Sequence, residues 1–248
     1  SLSENQFNVY WAAPHLVIQA LHGLHTRGDV PRIERAEEQP RAPASTSNLA
    51  MARWMAPLVV RKTLRRFAKP RPEVRWRLGV PRSATPLYRT PTPEAVRDFT
   101  WIEPPPGHFW ADPFLLQQGG RIWLFYEDYS YATNRGTLAC GWLDENGNLN
   151  DTRTILDKPY HLSYPNVFAH DGAIWMIPES EQSHRVELYR ATRFPDDWKL
   201  ESTLLDLRGV DATPFQHDGS WWMFISPMIT AGSFPATLLF RAPALTGP

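Results

Sequence analysis

Phe109-Trp110-Ala111-Asp112-Pro113-Phe114, followed by Ile122-Trp123-Leu124-Phe125-Tyr126-Glu127, reads as two strands joined by a Gly119-Gly120 turn. Aromatic and aliphatic residues alternate along the second strand. The pattern recurs. Pro165-Asn166-Val167-Phe168 leads through His170-Asp171-Gly172 to Ile174-Trp175-Met176-Ile177-Pro178-Glu179. Asp211-Ala212-Thr213-Pro214-Phe215 leads through His217-Asp218-Gly219 to Trp221-Trp222-Met223-Phe224-Ile225-Ser226. Phe168 and Trp175, like Phe215 and Trp222, stand seven residues apart. Phe114 and Trp123 stand nine apart, which predicts a Gln117–Gly120 turn two residues longer in the first copy.

The three phenylalanines are spaced by 54 and 47 residues. Self-similarity at that period, built from strand signals alone, is the mark of a β-propeller in which one repeat is one blade. A solenoid of helix pairs would show a 3.6-residue period, which this stretch lacks. A β-sandwich would not repeat His-Asp-Gly in register. Strand patterning begins at Val74, and repeats start near residues 99, 159 and 207. The expectation is therefore an all-β propeller, truncated to about three to four blades. It occupies 74–248 and is preceded by a helical and linker segment over 1–73, with the chain cut from something longer at both ends.

Net neutrality hides an asymmetry. Residues 53–92 carry eleven Lys or Arg against one acid, whereas 93–248 carry eleven basic and twenty acidic residues, a net of −9. Short helices are read over 8–25 and 48–68, separated by a linker rich in Pro, Glu and Arg. Leu49, Trp54, Leu58 and Phe67 give the second helix an apolar side, and Arg61, Lys62, Arg65 and Arg66 crowd its end. Segment 48–69 therefore suits either peripheral contact with a membrane surface or a connecting helix packed on a neighbouring domain. No stacking platform accompanies these charges, so nucleic acid is not expected as a partner. His15, His22 and His25 lack a carboxylate or Cys beside them and read as exposed polar positions; neither a metal nor a cofactor is expected. Cys140, the single cysteine, reads as a small buried core residue. No leader and no run of 18 apolar residues is visible, which means little in a chain cut from something longer. The single cysteine suits a reducing compartment, and the expected location is cytoplasmic, peripheral to the membrane if 48–69 contacts one.

In each repeat the hairpin brings the start of the first strand and the end of the second to one end of the blade. Measured from Phe114, Phe168 and Phe215, Asp112 falls in the same place as Asn166 and Thr213. Measured from the tryptophans, Glu127 matches Glu179 and Ser226. One mouth is expected to gather Asp112, Glu127, Glu179 and Asp211 from three blades, with Trp110, Tyr164 and Asn166 beside them. Convergent carboxyl groups suit glycoside chemistry: one activates water or attacks the anomeric carbon, and another, kept protonated, serves the leaving oxygen. Aromatic rings at the rim suit the apolar faces of sugars. The alternative for the same acids is a set of hydrogen-bonded blade-closing residues, or a cation site.

Trp110-Ala111-Asp112-Pro113-Phe114, Ser163-Tyr164-Pro165-Asn166-Val167-Phe168, Ile177-Pro178-Glu179 and Val210-Asp211-Ala212-Thr213 together resemble the N-terminal propeller domain of plant glucosamine inositolphosphorylceramide transferases and their bacterial relatives. The resemblance covers roughly 74–248. It implies a five-bladed fold like that of the arabinanase, invertase and levansucrase glycosidases. It also implies a transferase domain covalently fused in the parent protein, with a formyltransferase-like domain often upstream in the bacterial relatives. Asp112 matches the first-blade aspartate that acts as base or nucleophile in those glycosidases, and Asp211 the third-blade aspartate that orients the pair. Glu179 has no clean counterpart, and the glycosidase general acid lies on a later blade. Three functions follow as expectations. The first is a module binding a sugar or glycolipid headgroup, with Asp112, Glu179 and Asp211 at its centre and Trp110, Glu127, Tyr164 and Asn166 around them. The second is a glycoside hydrolase using Asp112, or part of a glycosyl or formyl transferase. The third is a structural scaffold.

Overall fold

The computed structural model describes residues 76–82, 97–228 and 237–247, together with Thr26, Arg53 and Ala56, which are helical. The predicted helices over 8–25 and 48–68 and the linker between them otherwise lie outside the described residues. All described strands belong to the second of the two units into which the chain divides, Arg71–Pro248.

That unit is built from antiparallel sheets taken in chain order. A two-stranded sheet pairs β1 (Leu78–Pro81) with β2 (Phe99–Ile102). The first blade is a meander of β3 (His108–Gln118), β4 (Arg121–Ser130), β5 (Arg135–Leu143) and β6 (Leu149–Leu156). The second comprises β7 (Ser163–His170), β8 (Ala173–Glu179), β9 (Val186–Arg193) and β10 (Asp197–Leu205). The third comprises β11 (Gly209–His217), β12 (Ser220–Pro227) and β13 (Leu238–Ala242). A 3-10 turn, Glu181–Ser183, follows β8. The all-β propeller expectation therefore holds, with three blades among the described residues.

The register corrects one sequence-based alignment. All three inner hairpins close with two-residue turns, because Gln118 faces Arg121, His170 faces Ala173 and His217 faces Ser220. Both central residues of every turn have positive φ: Gly119 and Gly120, Asp171 and Gly172, Asp218 and Gly219. That is the type I′ geometry whose twist matches the strands it joins. The turn in the first blade is thus not longer than the others. Trp123, Trp175 and Trp222 pair with Leu116, Phe168 and Phe215. Leu116, and not Phe114, is the counterpart of the later phenylalanines; Phe114 occupies the place of Asn166 and Thr213. The recurring His-Asp-Gly also has a structural cause. The His170 and His217 carbonyls accept the indole N–H of Trp175 and Trp222 at 3.1 and 3.2 Å, and each imidazole lies beside the aspartate that follows it.

Strand alternation gives each blade two apolar faces, and the faces between successive blades cover one another. Trp123 and Phe125 of β4 pack with Ile174 and Met176 of β8 in one core, which also holds buried Cys140, as expected. Trp175 and Ile177 of β8 pack with Met223 and Ile225 of β12 in the next. Leu124 and Tyr126, on the other face of β4, join Leu78 and Trp110 in a third. The matching face of the third blade leaves Phe215, Phe224 and Leu239 exposed. Leu188→Ala, at a fully buried position between the second and third blades, is expected to cost about 2–5 kcal/mol. Leu115→Ala, on exposed surface, should cost less than about 0.5 kcal/mol. Equal costs in urea unfolding would contradict this packing.

A candidate functional site at the mouth of three blades

Each inner strand carries a β-bulge at the same height. The register slips between Ala111 and Phe114 on β3, between Ser163 and Asn166 on β7, and between Val210 and Thr213 on β11. Two residues there face one on the partner strand. The first of the two is Asp112, Tyr164 or Asp211, with φ of 50°, 46° and 57°. A left-handed residue bends its strand and re-aims its side chain. Aspartate tolerates this conformation; for tyrosine it is an outlier and a marker of a constrained site. The second bulge residue is Pro113 or Pro165 in the first two blades. Its missing N–H costs little where the ladder is already interrupted. Asp112 therefore belongs in one row with Tyr164 and Asp211, not with Asn166 and Thr213 as the phenylalanine alignment implied.

Immediately before each bulge, Ala111, Ser163 and Val210 face Glu127, Glu179 and Ser226. Four carboxyl groups meet in this way. Burial pushes Glu127 up to about 8, with Asp112, Glu179 and Asp128 adding to the effect. Burial pushes Glu179 up to about 7, with Asp211 and Asp112 adding to it and a hydrogen bond from Ser163 opposing it. Asp211, at the exposed rim, is raised by the burial of its carboxyl and by Asp112. Each acid is thus within electrostatic reach of another. Among the described residues no Lys or Arg pairs with any of the four; the nearby arginine Arg208 pairs with Glu181 instead.

Tyr164 ties the blades together at this level. Its backbone N–H donates to Asp112 Oδ2 at 3.2 Å, and its hydroxyl lies 2.9 Å from Thr213 Oγ1. Its ring meets Phe114 edge-on at 4.8 Å. The buried Asn166 donates to the Ala212 carbonyl at 3.4 Å, a link from β7 to β11. Trp110 stands apart. Strand alternation turns it to the opposite face, where it is buried against Tyr126 and Leu78, away from the carboxyl groups. It is a core residue here and no part of a sugar-facing rim. Among the described residues no group of three or more His, Cys, Asp or Glu is arranged to hold a metal ion.

His161 joins the site without having been singled out in the sequence. Its Nδ1 accepts the Gly136 N–H at 2.9 Å, so in the neutral ring the proton sits on Nε2, 3.6 Å from Glu127 Oε1. Burial lowers the His161 pKa, and Arg135 works in the same direction against Asp112. A raised Glu127 and a lowered His161 meet as two neutral groups at pH 7. Gly136 permits the approach: a Cβ there would lie 2.5 Å from the Leu162 carbonyl and 2.7 Å from Glu127 Oε1. The signal was present but faint. His161 precedes Tyr164 by three residues, where the other repeats have Phe109 and Arg208, and only the corrected alignment puts the three in one row.

The family model described as glucosamine inositolphosphorylceramide transferase 1, N-terminal, matches residues 99–238. The chain belongs to this family. It is 39% identical over 128 residues to glucosamine inositolphosphorylceramide transferase 1 of Oryza sativa, covering 51% of this chain and 17% of the rice protein. It is 40% identical over 119 residues to the Arabidopsis thaliana protein of the same name, covering 48% and 16%. The chain therefore matches less than a fifth of these relatives' length. Among solved structures it is similar to the Bacteroides ovatus xyloglucan PUL protein GH43B, with a TM-score of 0.44, 12% identity, and coverage of 56% of this chain and 28% of that one. It is also similar to the Cellvibrio cellulosa α-L-arabinanase, with a TM-score of 0.43, 14% identity, and coverage of 56% and 54%.

The raised carboxyls set a pH dependence. Glu127 and Glu179 bind protons more tightly folded than unfolded, so their contribution to stability is full below about pH 4.5 and is lost as pH rises through about 7 and 8. His161 acts oppositely, but only below about 6.5. The unfolding midpoint is therefore expected to fall between pH 6.5 and 8.5, and to fall less in Glu127→Gln. Equal slopes in the two proteins would show that Glu127 is ionised throughout.

Proposed function

We propose that this domain binds a sugar or glycolipid headgroup in the acidic mouth and accompanies a transferase domain in the parent protein. The observation that carries the reading is the convergence of Asp112, Glu127, Glu179 and Asp211 from three blades, with no Lys or Arg paired to them among the described residues. Buried carboxyls with free hydrogen-bonding capacity are suited to hydroxyl groups, which donate to a carboxylate and accept from a carboxylic acid. Membership of a family named for glucosamine inositolphosphorylceramide transfer supports a carbohydrate ligand. The reading includes a five-bladed closure, supported by the apolar outer face of the third blade. It also includes a cytoplasmic location with peripheral membrane contact through 48–69, supported by the basic, apolar composition of that segment.

A second reading, glycoside hydrolysis, is favoured by Asp112 lying within electrostatic reach of Glu179, whose carboxyl burial pushes up to about 7. Water oxygen would bond to the anomeric carbon and pass a proton to Asp112. The glycosidic C–O bond would break as the leaving oxygen takes the proton of Glu179. Glycan-array binding, followed by mass spectrometry of the best ligands, separates the readings. Binding without cleavage that Asp112→Asn reduces at least about tenfold, the value of one charge-assisted hydrogen bond, supports the module. Cleavage lost in Asp112→Asn makes the domain a hydrolase. Binding indifferent to Asp112→Asn would refute the site.

A further inference from the structure

An apolar cavity of about 190 Å³ opens between the second and third blades. Its wall includes Ile177, Leu204 and Leu205 of the second blade and Met223, Phe240 and Leu245 beside them. The core between the first and second blades is built from the same wall, and the register fixes the correspondence. Trp123, Trp175 and Trp222 pair with Trp142, Arg190 and Arg241 on the third strands. The Arg190 and Arg241 guanidinium groups each lie 5.5 Å from the centre of the tryptophan ring they face. Counted from these pairs, the six cavity residues match Phe125, Ile155, Leu156, Met176, Tyr189 and Phe194 in that order. All six lie in the first core or pack against it.

In the first core one more large side chain joins this wall. Trp198, on the fourth strand of the second blade, packs there with its ring 6.1 Å from that of Phe125 and nearly perpendicular to it. Among the described residues the third blade has three strands, and β13 ends its sheet. The turn that leads to a fourth is nevertheless made. The Gly247 N–H donates to the Ala244 carbonyl at 3.2 Å, as the Asp196 N–H donates to the Arg193 carbonyl at 2.8 Å just before β10. Arg193 and Ala244 hold the same place, three residues after Arg190 and Arg241. Protein interiors are close-packed, and a dry cavity of about 150 Å³ lined by such side chains accepts a benzene ring. The space therefore has room for an aromatic side chain.

We propose that the cavity is the seat of a fourth strand, which pairs with the outer edge of β13 and inserts a large aromatic side chain where Trp198 stands in the second blade. The occupant is the parent protein's own chain after Pro248. The spacing from Phe194 to Trp198, counted from Leu245, places the inserted side chain at the first residue of that segment. Main-chain hydrogen bonds to a sheet edge supply affinity, and a side chain in a pocket sets the register. The cavity is continuous with an interface already formed, since Ile177, Met223 and Leu245 belong to the core between the second and third blades. That continuity favours a strand of the blade over a free apolar ligand. The inference is independent of the sugar reading.

Extending the full chain after Pro248 with a copy of Trp198–Leu205 tests it. The thermal midpoint is expected to lie about 3–12 °C above that of a chain whose extension carries alanine in place of the tryptophan, the effect of burying one large apolar side chain in a domain of this size. Amide exchange over Leu238–Ala242, read by mass spectrometry, should slow more with the tryptophan extension. Equal midpoints and equal exchange in the two extended chains would overturn the seat. Should the extended chains fail to fold, the free Trp198–Leu205 peptide added to the unextended chain should slow the same amides and its alanine version should not; no difference between them would overturn it. Sedimentation showing an unextended dimer with β13 already protected would give the edge to a second copy. A midpoint raised as far by saturating benzene as by the tryptophan extension would make the cavity a free ligand site. Either result defeats the proposal.

Discussion

One extra residue in each inner strand is the constraint on which the site depends. The bulges at Asp112, Tyr164 and Asp211 re-aim three side chains at the mouth, where a regular strand would have continued its alternation. Each left-handed non-glycine residue costs on the order of 1–3 kcal/mol. The cost is met locally and globally. Locally, the Tyr164 N–H donates to Asp112, and the Thr213 hydroxyl donates to the Asp211 carbonyl at 3.0 Å. Globally, each fully buried aromatic or aliphatic side chain in the cores between blades contributes about 1.5–3 kcal/mol. Tyr189, Phe125, Leu138, Leu188, Met176 and Ile177 are all fully buried. Packing therefore outweighs the strain, and the blades can hold a conformation that their inner strands would not choose alone.

The electrostatics follow from the same geometry. Carboxyl groups crowded into a partly desolvated mouth, with no Lys or Arg paired to them among the described residues, are disfavoured as anions by both burial and like charge. Protonation is the remaining route, and Glu127 and Glu179 take it. The site consequently offers both hydrogen-bond donors and acceptors at neutral pH. A site neutralised by arginine would offer a fixed cation instead. The junction of the second and third blades shows that alternative, with Arg208 on Glu181 at the height where the first junction has His161 near Glu127 and against Tyr129.

Much of this was legible in the residues. The Trp-containing strands and Asp-Gly turns gave the hairpins, and their period gave the blades, because alternation and type I′ chemistry are local properties. The meeting of Asp112, Glu127, Glu179 and Asp211 followed from antiparallel pairing. What failed was the anchor for the alignment. A phenyl ring at Phe114 looks like the ring at Phe168, whereas Leu116 holds the equivalent position. A bulge adds a residue without any compositional mark when its first member is Asp or Tyr. Trp110 was misread for a related reason: a residue two places from a bulge changes face with it, and sequence alone does not fix which face that is. His161 escaped notice because its role depends on the Gly136 N–H and on Glu127, partners 25 and 34 positions away.

The differences between blades say more about function than their likeness. The frame repeats three times, so any position can be compared with two others that carry the same structural demand. Tryptophan recurs at Trp123, Trp175 and Trp222, and its role is packing. The bulge position changes from Asp112 to Tyr164 to Asp211. The residue facing the strand before the bulge changes from Glu127 to Glu179 to Ser226, and the residue three before the bulge from Phe109 to His161 to Arg208. A fold under packing constraint alone has no reason to vary these rows while holding the tryptophan row constant. These three varying rows lie at one end of the blades, around the carboxyl groups. At that end the repeat alone no longer fixes the residue.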